Sequence, residues 1–244
     1  KGFSFSITGE QSKHKIRFKY PDNWKDNPEK EQIIEEIVKH TAPCLSYRAT
    51  VWHEVLTWYG VHFMGFEPEF NSAFSWEDVY SNLLGTRLGV AAMSRTDVGF
   101  DKAMADELDG ALRALNVQPS EVARKASEKV KGVWYTGYFV PDVLKRNFDI
   151  GLDDGYVTPT LVSGISECGE SDPLPLPVPT LDVLRKHGFD MTHRIYPRVF
   201  EQGRIYAAAG TKKIYYEPHI PVIMKDIKKQ SREKDHIFAG NPDN

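Results

Sequence analysis

One stretch of the sequence, VWHEVLTWYGVHFMGF at residues 51–66, constrains the fold more than any other. Its first half predicts a helix that is apolar on every side, which is typical of a helix inside a protein core. An unpaired carboxylate there would cost several kcal/mol, so a glutamate in this helix needs a hydrogen-bond or ionic partner. Apart from a tyrosine, the side chains with an ionisable or hydroxyl group are His53, Glu54, Thr57 and His62.

The pair His53–Glu54 begins like the motif of zinc proteases, in which a second histidine four residues after the first completes the metal site. Here Thr57 occupies that position, and His62 falls one residue too early for the third ligand of the extended motif. We therefore favour a buried, hydrogen-bonded pair over a protease-type zinc site. An atypical metal site with His53 as ligand, or a metal-free acid/base site at Glu54, stays open.

A second polar cluster follows in SWEDVYSNLLGTRLG, within the sequence of another predicted buried helix. Ser75 and Asp78 have the spacing of a capping box, which explains both residues without any function. The first turn of this helix can nevertheless present the carboxylate of Glu77 and the amide of Asn82 to a cavity. We predict that His53, Glu54 and Glu77 line one polar cavity. The candidate binding residues around it are Asp78, Asn82, Arg87, Arg146 and Asp149, for the last three of which structural anchoring is the favoured role.

The remaining patterns predict one α+β domain over residues 1–244. Alternating apolar and polar residues indicate an N-terminal β-hairpin at 2–21. Helical spacing dominates 28–148, with an amphipathic helix from Pro28 and the buried helix beginning at Pro43. Two surface helices and a short helix at PDVLKRNF complete this mainly helical core.

Residues 149–244 are predicted to be rich in loops. A glycine- and proline-rich wrapping loop covers 149–179, and a short helix at TLDVLRKHGF follows it. A second short strand pair is expected from HRIYPRVF and RIYAAAG, and a final helix has a lysine-rich outer face. The pattern is that of an α+β fold with sheet elements near both ends.

The composition excludes several classes of function. The formal net charge is −3, so there is no overall basic field for nucleic acid, and no apolar run is long enough to span a membrane. The two cysteines, Cys44 and Cys168, can form one disulfide or none.

Three segments, VWHEVLTWYG, SAFSWEDVYSNLLGTRLG and RNFDIG, resemble in their order and separation the bacterial domain-of-unknown-function family numbered 4056. In that family the histidine and glutamate are followed by threonine and tryptophan, so Thr57 is the residue the resemblance implies. The resemblance also implies an exported, lipoprotein-like protein of the cell envelope, periplasmic or lipid-anchored. It further implies that histidine and acidic residues lie in a segment preceding Lys1.

Two functions follow from these observations. In the first, Glu54 is a general base, Glu77 assists it, and His53 binds a metal such as zinc or orients a water, which gives a hydrolase acting on an envelope peptide or glycan. In the second, the same residues form a buried structural network in a non-catalytic binding or scaffolding protein of the envelope. The loop at 149–179 would then make the contacts.

Overall fold

The computed structural model describes residues 1–9, 11–60, 62–63, 67–68, 72–137, 142–169 and 172–239, with backbone alone at 62–63, 67–68 and 234–239. The α-helices of these residues are α1 Lys30–Trp58, α2 Asp78–Ser94, α3 Phe100–Ala114, α4 Ser120–Val130, α5 Asp182–Lys186, α6 Gln202–Ala209 and α7 Tyr216–Ala239. The strands are β1 Gly2–Gly9, β2 Ser12–Lys19, β3 His62–Phe63, β4 Glu67–Pro68, β5 Tyr156–Val157, β6 Leu176–Pro177, β7 Asp190–Pro197 and β8 Ile214–Tyr215. The predicted α+β class is confirmed.

The chain forms two compact units, and α1 contributes to both. The first, which we call the sheet unit, comprises Lys1–Ile37, Trp52–Phe70 and Asp182–Asn244. The second, the helical unit, comprises Val38–Val51 and Asn71–Leu181. The single domain inferred from the sequence stays a prediction.

The sheet unit contains a four-stranded antiparallel sheet in the order β1-β2-β7-β8. The predicted N-terminal hairpin forms its first two strands, and β7 with β8 forms a second strand pair near the C-terminus, where one was expected. Residues of β2 alternate between the two faces, as the period of two requires. Ser12, His14, Ile16 and Phe18 are buried, whereas the lysines and arginine between them point to the other face.

The buried face of the sheet packs into a core supplied by α1, α6 and α7. Trp52 is fully buried, and its indole N–H donates to the Ser12 hydroxyl at 2.8 Å, so the one polar atom of the ring is satisfied inside the core. Isoleucines from β7, β8, α6 and α7 complete this core: Ile195, Ile214, Ile205, Ile220, Ile223 and Ile227.

The structure corrects the expected helix boundary at Pro43, because α1 continues through this residue without a break. A proline inside a helix removes one backbone hydrogen bond and costs about 3 kcal/mol. Burial on both sides of Pro43 offsets this cost, with Ile37 before it and Cys44 and Tyr47 after it. Tyr47 also donates to the Ile150 carbonyl at 3.2 Å.

In the helical unit, α2 packs chiefly along α3, and the irregular chain between α4 and α5 covers another side of it. The expectation of a fully buried second helix is wrong, since only Val79, Tyr80, Leu83, Leu88 and Ala92 of α2 are buried. The sequence of α2 looked apolar because its glycines and hydroxyl residues interrupt the apolar positions without adding charge. These small side chains bury little area, so they do not make the helix part of a core.

Two further expectations are wrong in detail. The described part of PDVLKRNF, residues 142–148, is extended rather than helical, with bridges from Val143 to Tyr135 and from Arg146 to Ser75. RIYAAAG lies in α6, because three successive alanines favour helix, and β8 supplies the second strand of the pair instead. The two cysteines are not joined by a disulfide.

The hydrogen bond between Trp52 and Ser12 predicts a specific loss of stability. Ser12→Ala leaves a buried indole N–H without its acceptor, which should lower the free energy of unfolding by about 1–3 kcal/mol. Chemical denaturation measures this directly. The matched control is Ser6→Ala on exposed β1, where a change of less than about 0.5 kcal/mol is expected. Equal effects of the two substitutions would show that the buried hydrogen bond contributes nothing.

Candidate functional site

The predicted site residues divide between the two compact units. His53 and Glu54 lie in the part of α1 that belongs to the sheet unit. The other candidates lie in the helical unit: Glu77, Asp78, Asn82, Arg87, Arg146 and Asp149. The shared cavity of Glu54 and Glu77 therefore stays a prediction, and each group is described within its own unit.

Glu54 is buried, as the sequence predicted, with 5% of its surface exposed. His53 beside it is half-buried. One turn further, Thr57 is also buried, and its hydroxyl has no hydrogen-bond partner in the described part of the chain. Among the residues with described side chains, no three histidines, cysteines or acids come close enough to hold a metal ion.

The end of α1 carries a polar network that the sequence analysis missed. Tyr59 donates to the carboxylate of Asp226 in α7 at 2.8 Å. Gln230, also in α7, donates to the same carboxylate oxygen at 2.6 Å. Gln230 also accepts from the Trp58 indole at 3.1 Å. Burial, and then the bond to Asp226, raises the pKa of Tyr59 far above its usual value. The network joins α1 to α7, and the spacing of Asp226 and Gln230, four residues apart and so on one face of α7, was the signal for it.

The start of α2 contains half of the expected capping box. The Ser75 backbone N–H donates to the Asp78 carboxylate at 3.2 Å, so Asp78 acts as a cap. No side-chain cap is made by the residue before the helix, Glu77, which is exposed. Although the residue as a whole is exposed, partial desolvation of its carboxyl group raises the pKa of Glu77, and the charge of Asp78 adds to the rise, while a hydrogen bond with Ser75 lowers it.

Arg146 and Asp149 have anchoring positions. Arg146 donates to the Ala73 carbonyl, which ties residues 142–149 to the start of α2. The Asp149 carboxylate accepts from the backbone N–H groups of Gly151 at 3.0 Å and Thr158 at 2.9 Å. Both side chains therefore hold the irregular chain in place.

The remaining two candidates, Asn82 and Arg87, line a groove on the helical unit. Asn82 lies in a depression of about 470 Å³ between α1 and α2. Small residues of both helices form its walls, at a spacing of four residues that keeps them on one face of each helix. From α1 these residues are Ala42, Ser46 and Thr50, and from α2 they are Ser81, Gly85 and Gly89.

Arg87 lies in an adjoining depression of about 550 Å³ that shares Pro43 and Val90 with the first. Lys39 and His40 of α1 also line it, and its far wall is the chain at 177–180. Arg87 reaches this wall, where it donates to the Pro177 carbonyl at 3.4 Å. We call the two depressions together the α1–α2 groove.

The two halves of the groove have different hydrogen-bonding character. In the Asn82 half, the hydroxyls of Thr50, Ser81 and Thr86 donate to carbonyls of their own helices. Their oxygens therefore face a ligand chiefly as acceptors, while the Asn82 amide both donates and accepts. The other half is cationic, since it contains Arg87 and Lys39.

The groove has no acidic lining residue among those that the structure describes. Because Pro43 has no N–H, the Lys39 carbonyl also lacks the hydrogen bond that residue 43 of a helix would donate. Lys39, His40, Ser46 and Thr50 were missed by sequence reasoning, since they lie on a helix face that reads as ordinary solvent-exposed surface. Their spacing around a mid-helix proline was the available signal.

The open space above the glycines of α2 predicts that larger residues are tolerated there. A Cβ atom added to Gly85 or Gly89 meets no atom within 4 Å, and the same holds for Gly110 of α3 outside the groove. Each change to alanine removes a helix-interior glycine and should raise the free energy of unfolding by about 0.5–1 kcal/mol. Thermal or chemical denaturation of the three variants measures this. A loss of stability confined to Gly85→Ala and Gly89→Ala would mean that the groove is closed.

Comparison with known proteins adds a family but no activity. A family model described as "Protein of unknown function (DUF4056)" matches residues 2–161, which include α1, α2 and the chain that Arg146 anchors. No curated protein matches the chain, and no solved structure matches it. Since the family model covers more than half of the sequence, the chain belongs to the DUF4056 family.

Proposed function

We propose that this protein is a non-catalytic binding protein of the bacterial cell envelope that takes an acidic glycan or peptide in the α1–α2 groove. The observation that carries the proposal is the pairing of a hydroxyl- and amide-lined depression with a cationic one that has no acid among its described lining residues. The envelope location is carried over from the family resemblance, and separation of membrane and soluble fractions of the source cells tests it.

The ligand class follows from the two halves of the groove. Sugar hydroxyls and peptide N–H groups can donate to the Ser81 and Thr86 oxygens, and a carbonyl or N-acetyl group can pair with Asn82. A carboxylate or phosphate on the same ligand fits between Lys39 and Arg87, where no carboxylate of the groove opposes it. Val90 and Met93 offer apolar contact to a sugar ring or an aliphatic side chain.

The same lining supports binding rather than catalysis. General acid–base hydrolysis needs a positioned base, and glycosidases and many proteases use a carboxylate for it. The described lining of the groove has no aspartate or glutamate, and its one histidine is His40. A lone exposed histidine without an orienting partner is a poor catalytic base.

Filling the groove tests the proposal. Gly89→Phe places a ring in the open space above α2 and should weaken binding by at least about tenfold, since it removes contacts worth about 1.4 kcal/mol or more. Soluble glycan–peptide fragments from muramidase-digested bacterial cell wall serve as the probe in titration calorimetry. Gly110→Phe makes the same change in α3, where a Cβ also meets open space, and should leave binding unchanged. Equal affinities for all three proteins would contradict the proposed groove.

A charge variant tests the acidic part of the ligand. Arg87→Gln should weaken binding of the carboxylate-bearing fragments, and have little effect on the same fragments after amidation of their carboxyl groups. Arg124→Gln on exposed α4 is the control that removes the same charge elsewhere. If Arg87→Gln and Arg124→Gln have equal effects on the acidic fragments, Arg87 does not recognise the anion.

A second candidate function, hydrolysis at Glu54, is supported by the burial of this carboxylate on α1. A buried glutamate beside a half-buried histidine is the kind of group that serves as a general base. In this version Glu54 takes a proton from water, and His53 orients that water or binds a metal. The buried, unpartnered hydroxyl of Thr57 one turn away adds a polar group to the same part of α1.

Two substitutions separate hydrolysis from a structural role. If Glu54 is the base, Glu54→Gln should abolish release of products from the cell-wall fragments by the full-length protein while the fold is retained. Metal analysis beside His53→Ala tests whether a metal belongs to the site, because loss of metal with the histidine identifies a ligand. If neither change alters metal content or turnover, and both lower the Tm, the pair is a structural network.

A further inference from the structure

The sheet unit carries a second surface, on the face of the sheet that turns away from its core. The outward residues of β2 are all basic, and they follow each other at every second position: Lys13, Lys15, Arg17 and Lys19. On β7, Arg194 is the direct partner of Lys15, so two cations lie side by side across the strands. Like charges in such a pair destabilise a sheet, so the arrangement is unfavourable unless an anion lies against it.

Among the residues that the structure describes, no acid forms an ion pair with the cations of this surface. None of the five forms an ion pair with another residue in the part of the chain that the structure describes, although Arg194 lies over the rings of Tyr196 at 4.3 Å and Tyr215 at 5.9 Å. At one end of the row, Lys19 has an acid, Asp190, as its partner on β7. In a chain of net charge −3, this concentration of positive charge is local to one face.

The same hairpin exposes an apolar row. Strand β1 is exposed along its whole length, and Phe3, Phe5 and Ile7 have exposed fractions of 47%, 38% and 51%. Phe3 and Phe5 pair with the buried Phe18 and Ile16 of β2, so they lie on the same face of the sheet as the core. At β1 this face is no longer covered by the core. The sequence of β1, GFSFSITG, contains no charge or proline to protect an edge strand.

We propose that this edge of the sheet binds an anionic lipid bilayer. The basic row attracts anionic headgroups, and each lysine or arginine near such a surface adds to the attraction. Strand β1 is exposed on both faces. When a bilayer contacts this edge of the sheet, Phe3 and Phe5 therefore lie at the bilayer interface as well. Long lysine side chains keep their charge among the headgroups while the aromatic rings enter the boundary region.

A linear polyanion is the competing partner, and the apolar row decides against it. A polyphosphate or a single-stranded oligonucleotide would neutralise Lys15, Arg17 and Arg194 equally well. It would leave Phe3, Phe5 and Ile7 in water, because these side chains lie on the opposite face of the hairpin. Only a partner that meets the edge strand from the side accounts for both rows.

Vesicle flotation of the whole protein tests this proposal, with vesicles of phosphatidylcholine alone or mixed with phosphatidylglycerol as probes. Binding to the anionic vesicles alone, weakening as salt is added, is the expected result. The double substitution Lys15→Glu/Arg17→Glu should lower the partition coefficient by at least about tenfold. The matched control Lys225→Glu/Arg232→Glu changes two exposed cations of α7, with the same effect on net charge, and should retain binding.

The apolar row has its own variant, Phe3→Ser/Phe5→Ser, which should weaken vesicle binding without changing its salt dependence. Circular dichroism shows that each variant folds, and binding of cell-wall fragments to the α1–α2 groove should be the same in all of them. Three results would each overturn the proposal: no binding to anionic vesicles, equal losses in the β2 and α7 variants, or binding of polyphosphate or an oligonucleotide in place of vesicles.

Discussion

The burial of one face of α1 is the constraint on which the rest of the structure depends. Residues 38–51 of α1 belong to the helical unit, where Tyr47 donates a hydrogen bond to the carbonyl of Ile150. Residues 30–37 and those from Trp52 onward belong to the sheet unit, where Trp52 donates a hydrogen bond to the Ser12 hydroxyl. A single 29-residue helix therefore supplies the central side chains of both units. This explains why its apolar pattern is so dense that the few polar residues in it stand out.

The same constraint produces the α1–α2 groove. One side of α1 is buried between Lys39 and Thr50. Its opposite side lies at the surface and carries short or polar residues. The facing side of α2 carries two glycines, each of which costs about 1 kcal/mol of helix stability relative to alanine. Close packing usually explains helix glycines, but here a Cβ would meet open space. The two glycines therefore lower the stability of α2 at the place where the groove lies, and such a loss of stability is common at binding surfaces.

Much of the fold could be predicted from local sequence patterns. The hairpin, the burial of Glu54 and the cap at Asp78 each depend on residues close together in sequence, and all three were predicted. Asn82 and Arg87 were expected near a cavity lined by His53, Glu54 and Glu77, which stays a prediction; in the structure they line the α1–α2 groove. The predictions failed where tertiary packing overrides local preference: α1 passes through Pro43 because both flanks are buried, and RIYAAAG is helical.

The groove as a whole could not be predicted from the sequence, for a different reason. Its cationic half joins Lys39 and Arg87 to the chain at 177–180, and Arg87 and Pro177 are 90 residues apart. No local pattern connects positions at that separation. The basic row of β2 was visible in the sequence, but its meaning depends on the pairing of Lys15 with Arg194, which is also a long-range contact.

The most direct test of the account is to map the bound ligand by NMR on the isotope-labelled protein, using the acidic cell-wall fragments as titrant. The account predicts that backbone amide shifts change along residues 39–50 of α1, along 81–94 of α2 and at 178 and 180, while the signals around His53 and Glu54 stay constant. Shifts centred on His53 and Glu54 with none along the groove would contradict it, and would assign the ligand to the buried pair of α1.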